Sequence, residues 1–397
     1  MKILIIANYI SMPDEPGNCR FIYLAKKLCD KHSVEIVTSS FCHVKKQQRD
    51  ISNTKINNIK ITYINEPGYK KNVSINRIFS HKFLSLNLKH YLKEINYKPD
   101  VIYCSVPSLN FAEEAIKFAK KNNIRFILDI QDLWPEAFKM AINIPIISDI
   151  IFFPMMRKAN YIYSNADELV AVSETYLNRA LQVNKKSKHN YSVFLGTDLD
   201  YFDNCLLKNK IVFNDDYIRI AYVGTLGTSY DLTNVITAIK LLYDKNIKNI
   251  KFIVMGSGPL KDKFEKHAME CGISYEFTGR LDYPKMVGLL GSCDICVNPI
   301  ISTASQSIIN KVGDYAAASL PVINTENCQE YKNLLEKYEA GFNCINENPK
   351  DISEKIELLI NDKKKRASMG KGNRKLAEDY FDRNKTYERI INLIEGK

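Results

Sequence analysis

Short apolar runs rich in β-branched residues recur along this chain, each followed by a stretch of helical length. KILIIA opens it, a glycine-containing loop (Pro13–Asn18) and a helix over Arg20–Lys31 follow, and then VEIVTS. After a variable basic stretch come VIYCS at Val101–Ser105, a helix at Leu109–Asn122, a strand at Arg125–Gln131 and a short strand at Leu169–Val172. Runs too apolar to alternate must be buried on both faces, and intervening helices supply the cover, so the pattern predicts a parallel sheet between helical layers. The pattern then restarts with IRIAYVG (Ile218–Gly224), a helix at Leu232–Lys245, KFIVMG (Lys251–Gly256), YEFTG (Tyr275–Gly279), ICVNP and LPVIN. The expectation is therefore an α/β chain of two doubly wound Rossmann-like domains, 1–196 and 197–377, joined near Phe194–Asp198. A last helix is expected over Tyr380–Gly396, within 378–397. A length of 397 residues accommodates this, at roughly 150–200 residues per domain.

Composition removes several classes. The apolar run Ile3–Ala7 is too short for a signal peptide and reads as a buried strand. The longest membrane candidate, Met140–Met156, is interrupted by Pro145, Ser148, Asp149 and Pro154, short of the roughly 18 apolar residues a span needs. Ten scattered cysteines fit reduced thiols and a cytoplasmic setting. The single Cys-x-x-Cys, Cys293–Cys296, lies in a run that reads as a buried strand. The six histidines, His32, His43, His81, His90, His189 and His267, show no metal spacing and read as surface residues. Formal net charge is +11, and the first 100 residues carry 17 Lys/Arg against 8 Asp/Glu. No helix-turn-helix, zinc finger or RNP-like motif accompanies that charge, so nucleic acid is not an expected partner. Within it, Lys70–Lys98 interleaves Ile75, Ile78, Phe79, Phe83, Leu84 and Leu88. That spacing fits either an interfacial helix on anionic lipid or a surface helix packed on its own domain.

In open parallel sheets, ligands gather beyond the carboxyl ends of the strands. In the second half those ends read Gly224-Thr225-Leu226-Gly227, Gly256-Ser257-Gly258-Pro259 and Gly279-Arg280-Leu281. Glycine there lets a backbone approach a ligand closely, or simply turn. Further on, Ser302–Thr325 reads as small polar residues, a helix carrying Ser307, Asn310, Lys311 and Asp314, the small pair Ala318-Ser319, and a buried strand. Free N–H groups near Ser307–Ile309 at a helix start form an anion site suited to a pyrophosphate, with Asp314 two turns on able to accept ribose hydroxyls. An ordinary helix–strand unit is the plainer alternative. In the first half, Leu128–Glu136 (LDIQDLWPE) carries the chain's one tryptophan. Gln131 and Asp132 can face a sugar there, or Trp134-Pro135 can cap a turn and pack. Pro16-Gly17-Asn18 precedes Arg20, which reads as an anion ligand or a solvated helix residue.

The second-half set resembles the donor-binding half of the retaining family 4 glycosyltransferases, whose fold is GT-B, two such domains facing across a cleft. Gly256–Pro259 matches the family's G-x-G-P, and Arg280 and Leu281 match its loop near the nucleobase. Gln306 and Asp314 occupy the two signature positions, usually glutamates seven residues apart, and Gly17 resembles the family's first glycine loop. The usual Arg and Lys after the first strand are absent from Gly227-Thr228-Ser229-Tyr230-Asp231. Lys311, with N–H groups near Ser307 and Ile308, is the replacement candidate. The resemblance implies a retaining hexosyl- or N-acetylhexosaminyltransferase using a nucleotide-diphosphate sugar, a UDP-sugar, without metal or other cofactor. Donor contacts fall to Gly17, Gly224, Thr225, Gly227, Gly256, Gly258, Arg280, Leu281, Gln306, Ser307, Ile308, Asn310, Lys311 and Asp314, and catalytic roles to Asp132 and Lys311. LDIQDLWPE resembles a bacterial surface-polysaccharide branch. This points to a glycan or polyprenyl-diphosphate-linked acceptor in capsule or O-antigen synthesis, with cytoplasmic placement and peripheral contact on the inner membrane face. A GT-B sugar-nucleotide epimerase or hydrolase is the alternative, and it would need Asp132 and Glu136 as acid and base. A non-catalytic lipid- or nucleic-acid-binding protein is a third, resting on charge alone.

Overall fold

The computed structural model describes residues 1–397 apart from 13, 14, 16–19, 52–55, 57, 73, 142–146, 303–307 and 309. The chain forms two compact units, Met1–Val193 with Tyr387–Lys397, and Phe194–Thr386.

In the first unit the strands are β1 (Lys2–Ile6), β2 (Ser33–Ser39), the hairpin β3–β4 (Phe41–Cys42, Gln47–Gln48), β5 (Ile59–Ile64), β6 (Val101–Val106), β7 (Arg125–Ile130), β8 (Glu168–Ala171) and β9 (Asn190–Ser192). Helices α1 (Arg20–Leu28), α2 (Ile75–Glu94), α3 (Leu109–Lys121), α4 (Glu136–Ala141), α5 (Ile147–Asn165) and α6 (Glu174–Leu181) lie between them. The main sheet runs β5-β2-β1-β6-β7-β8-β9 and is parallel throughout, with Ile3 beside both Val34 and Val101. Every residue of β6 is buried, as a strand covered on both faces requires. The chain first runs outward from β1 and then returns to β6 on its other side, so the loops after these two strands part. This makes a topological switch point.

A polar knot ties this unit to the chain's end. Arg20 is buried and pairs with Asp129 at 3.0 Å. Asp129 also accepts from Tyr103 Oη (2.8 Å) and Gln131 Nε2 (3.1 Å). Both expectations for Arg20 are thus corrected: the first residue of α1 points inward and is engaged by a carboxylate. Arg20 Nε also donates to Tyr387 Oη at 3.3 Å. Ile390, Leu393 and Ile394 of the helix Glu388–Glu395 enter the core shared by β1 and α1. The single final helix expected over Tyr380–Gly396 is broken. A π-turn at Ala377–Phe381 is followed by extended Asp382, whose carboxylate takes the Asn384 N–H at 3.0 Å and starts a new helix, Arg383–Thr386.

The second unit carries β10 (Ile218–Val223), β11 (Ile250–Met255), β12 (Ser274–Gly279), β13 (Ile295–Asn298), β14 (Val322–Asn324) and β15 (Gly341–Asn343). They are ordered β12-β11-β10-β13-β14-β15 and all parallel. The order reverses at β10 and β13, which puts this unit's switch point at the Gly224 loop and the segment after Asn298.

Candidate functional site

Gly224 follows β10 at φ +145°, a backbone open to glycine. A Cβ there would lie 2.3 Å from Lys311 Nζ and 2.9 Å from its Cε, so the bare glycine leaves the seat the lysine occupies. Lys311 opens the helix Lys311–Ala317. Its Nζ donates to Tyr222 Oη at 3.0 Å and stands 4.3 Å from the Tyr222 ring centroid and 3.8 Å from that of Tyr230. Burial pushes the ammonium down to about 7, while Glu326 pulls the other way. Glu326 is fully buried, its Oε2 accepting from Asn298 Nδ2 at 2.9 Å and its Oε1 without a partner among the described residues. Burial pushes that carboxyl up to about 8, against the Asn298 bond and Lys311. An anion placed here would restore the lysine's charge.

The same helix is pinned on its other positions. Val223 N–H donates to Tyr315 Oη at 2.9 Å. Asp314 Oδ1 accepts from Thr197 Oγ1 and Tyr283 Oη, each at 2.9 Å, and its Oδ2 takes no hydrogen bond from the described residues. Burial raises this carboxyl despite those two bonds and Arg383. The described helix begins at Lys311, so Asp314 stands in its first turn and not two turns along. Ile308 is buried in the core and Asn310 is exposed before the helix. Gln306, Ser307 and Gly17 lie outside the described residues.

The glycines divide by what a side chain would meet. At Gly256 a Cβ would fall 1.8 Å from the Gly224 carbonyl oxygen, and at Gly258 2.4 Å from that of Leu226. Both therefore let the loops after β10 and β11 lie together, joined by Gly224 N–H to Met255 O (2.9 Å) and Leu226 N–H to Ser257 O (3.0 Å). Among the described residues, a Cβ on Gly227 would meet a methyl of Thr225 at 3.7 Å and nothing else, and one on Gly279 would meet nothing within 4 Å. Thr225 and Arg280 are exposed, and Arg280 has no hydrogen bond or ion pair among the described residues. Leu281 packs on the core.

In the first unit, Asp132 follows β7 with both oxygens engaged. Oδ1 accepts the Leu133 N–H at 2.9 Å and Tyr176 Oη at 3.4 Å, and Oδ2 accepts Trp134 Nε1 at 3.2 Å. Burial raises it all the same. Glu136 pairs with Arg179. Two histidines expected at the surface are not there. His81 is buried and stacks on Trp134 at 6.0 Å, and His43 packs edge-on to Tyr9 at 4.9 Å. A lysine-rich sequence around them hid this: His81 lies on the inward face of α2, and His43 in the turn between β3 and β4. Cys293 and Cys296 are buried free thiols, with Cys293 pushed up by burial to about 12. Among the described residues no three His, Cys, Asp or Glu side chains form a metal-binding group.

Sequence reasoning missed Tyr222, Tyr230, Asn298 and Glu326. A signal existed, since Asn298 and Asn324 end two apolar runs in register, and polar residues at neighbouring strand ends mark a ligand edge.

Residues 205–376, inside the second unit, match the family described as glycosyl transferases group 1. The chain is 24% identical over 317 residues to the putative colanic acid biosynthesis glycosyl transferase WcaI of Escherichia coli, covering 76% of this chain and 75% of that protein. It is 24% identical over 246 residues to the capsular polysaccharide biosynthesis glycosyltransferase CapM of Staphylococcus aureus, covering 57% and 61%. The chain spans between 57% and 75% of the length of the curated relatives it matches. In fold it is similar to Anabaena HepE, solved in complex with UDP, at a TM-score of 0.72 and 15% identity over the whole of both chains. The two parallel-sheet units are those of the GT-B fold.

Proposed function

We propose that this chain, a bearer of the group 1 glycosyltransferase domain, moves a sugar from a nucleotide-diphosphate donor, a UDP-sugar, to a glycan or polyprenyl-diphosphate-linked acceptor. Anomeric configuration is retained, and the product belongs to a surface polysaccharide such as capsule or O-antigen. The observation that carries this reading is the seat of Lys311. A half-buried ammonium stands against glycine at the switch point of the domain-matched unit, with Asp314 one turn on. The acceptor hydroxyl attacks the anomeric carbon from the side the diphosphate leaves, the carbon–oxygen bond to the β-phosphate breaks, and the hydroxyl proton passes to the departing phosphate. Lys311 donates to that phosphate as its charge grows, and Asp314 Oδ2 accepts from the ribose. Arg280 is free to meet the nucleotide. The UDP of the HepE complex and the polysaccharide enzymes among the relatives support the donor and the setting. No metal or other cofactor enters this scheme.

Membrane contact is part of the proposal. No helix among the described residues is long and apolar enough to cross a membrane. The outer face of α2 nevertheless exposes Ile75, Ile78, Phe79, Phe83 and Leu86, while Leu84, Leu88 and Leu92 pack inward. With Lys82 and Lys89 on the same helix, that face suits the anionic inner leaflet. Of the alternatives, epimerisation or hydrolysis would need Asp132 and Glu136 as acid and base, and Asp132 is held through both oxygens while Glu136 Oε1 is paired with Arg179. The deciding experiment incubates nucleotide sugars with and without lipid-linked acceptor. Transfer requires that donor consumption depend on acceptor, and equal turnover without acceptor would sink the proposal in favour of hydrolysis or epimerisation.

A further inference from the structure

Near the carboxyl ends of β1 and β7, the first unit gathers cations that the transfer scheme leaves unused. Arg77, in the first turn of α2, lies 4.8 Å over the Trp134 ring and 5.5 Å over Tyr69, and its Nη2 donates to Tyr9 Oη at 2.8 Å. Its Nε is buried and has no partner among the described residues. Lys46, in the turn of the β3–β4 hairpin, stands 4.8 Å over the same Tyr69 ring. The two cations also meet at Asn72: Lys46 Nζ donates to its side-chain oxygen at 2.5 Å and Arg77 Nη1 to its carbonyl at 2.7 Å.

Among the described residues neither cation forms an ion pair, although Glu66 supports the charge of Lys46 from a distance. Glu66 is buried and gives its oxygens to the hydroxyls of Ser39 and Ser80, and Asp132 is held by Trp134 and Leu133. The neighbouring imidazoles are neutral. Burial, then Lys46 and Arg77, push His43 down to about 4, and burial, Arg77 and His43 push His81 to about 3. Burial and Arg77 bring Lys46 itself down to about 8. Lys46 is moreover held at φ +55°, a left-handed backbone disfavoured for side chains. Two cations are thus brought together, one of them through strain, with open donor capacity and aromatic walls.

We propose that this cluster binds a phosphate or diphosphate group, gripped between Arg77 and Lys46. A planar guanidinium with a free Nε and a mobile ammonium are the donor pair such an anion takes up. The ligand source that fits the surroundings is an amphiphile. The N-terminal half of α2 exposes Ile78 and Phe79, and that of α5 exposes Ile150 and Phe153. The ring series Trp134–Phe138–Phe152, with spacings of 4.8 and 6.1 Å, links the cluster to α5. This rests on the acceptor reading above, in which the glycan hangs from a lipid diphosphate.

Trp134 is the chain's only tryptophan and lies under Arg77, so its fluorescence reports on this site alone. The whole protein is titrated with farnesyl diphosphate, inorganic pyrophosphate and farnesol. Saturable change with the diphosphates and none with farnesol is expected, with affinity falling at least tenfold in both Arg77→Ala and Lys46→Gly. The glycine variant suits the left-handed backbone, so it carries the test should Arg77→Ala not fold. Farnesyl diphosphate binding tighter than pyrophosphate identifies a lipid source, and equal binding a free phosphate; both support the site. Absence of saturable change with either diphosphate, or unaltered affinity in Lys46→Gly, overturns it. UDP affinity, measured in parallel, is expected unchanged in both variants. Loss of UDP binding by the wild-type protein would instead count against the donor reading.

Discussion

Raising the pH should weaken UDP binding through Lys311. Burial holds this lysine at about 7 in the empty site, so at neutral pH only about half the molecules carry the charge a diphosphate needs. A bound diphosphate restores a value near or above the ordinary lysine range, roughly 10. Between those two values the complex holds more protons than the free protein, so binding takes up a proton and affinity falls as pH rises. With 7 and 10 as the limits, the dissociation constant should rise about fivefold from pH 7 to 8 and about fortyfold to pH 9. The larger change is about 2.2 kcal/mol. UDP itself contributes little there, because its terminal phosphate has ionised by pH 7. Glu326, at about 8, titrates in the same pocket, and its ionisation both repels the diphosphate and supports the lysine's charge. Glu326→Gln leaves the lysine to titrate alone. Calorimetry at pH 7, 8 and 9 in buffers of different ionisation enthalpy reads both affinity and proton uptake. A constant that moves less than twofold over that range, or an equal slope in Lys311→Met, would refute the role given to the lysine.

Three further outcomes are expected. Gly224→Ala should cost roughly 1–3 kcal/mol of stability from its backbone conformation and displace Lys311, lowering kcat more than it raises KM. In a Lys311→Ala background the kinetic part should vanish, and strict additivity in the double-mutant cycle would show that the two do not share a seat. Asp314→Asn keeps an acceptor for Thr197 and Tyr283, so melting temperature should stay near wild type while UDP affinity drops at least tenfold, in line with one charged hydrogen bond of about 1.5–3 kcal/mol; unchanged UDP binding removes the ribose contact. A Lys82→Glu, Lys89→Glu variant should lose sedimentation with anionic vesicles at low salt, by roughly 1 kcal/mol for each charge neutralised, and keep its UDP affinity. Equal sedimentation of variant and wild type would leave α2 as a merely solvated surface.

Much of the fold was legible because burial on both faces forces a recognisable composition. The runs KILII, VIYCSV and IRIAYV are β1, β6 and β10, each nearly or wholly buried, and no other arrangement of such runs hides them. Residues whose role depends on a neighbour distant in sequence were less legible. Arg20 read as an anion ligand or a solvated helix residue because nothing near it in sequence announces Asp129, 109 positions away. His43 and His81 sit in lysine-rich text, yet the rings of Tyr9, Tyr69 and Trp134 enclose them. The helix over Tyr380–Gly396 was read as continuous because its apolar spacing carries through, while one carboxylate, Asp382, recaps the chain.

The proposed donor site joins both kinds of residue. Glycines at strand ends are readable one at a time, but their use is not. Gly256 and Gly258 serve the contact between two loops, while Gly224 makes room for a lysine 87 positions later. The missing cations after β10 therefore have a physical counterpart. Where Gly227–Asp231 supplies no Arg or Lys, Tyr222 and Tyr230 supply π faces instead, and they hold the ammonium of a helix residue against the same strand end. Burial holds a lysine seated this way at about 7, so in the proposed scheme it takes up its proton as the diphosphate binds, and donor binding and charge on the leaving group are coupled through one residue.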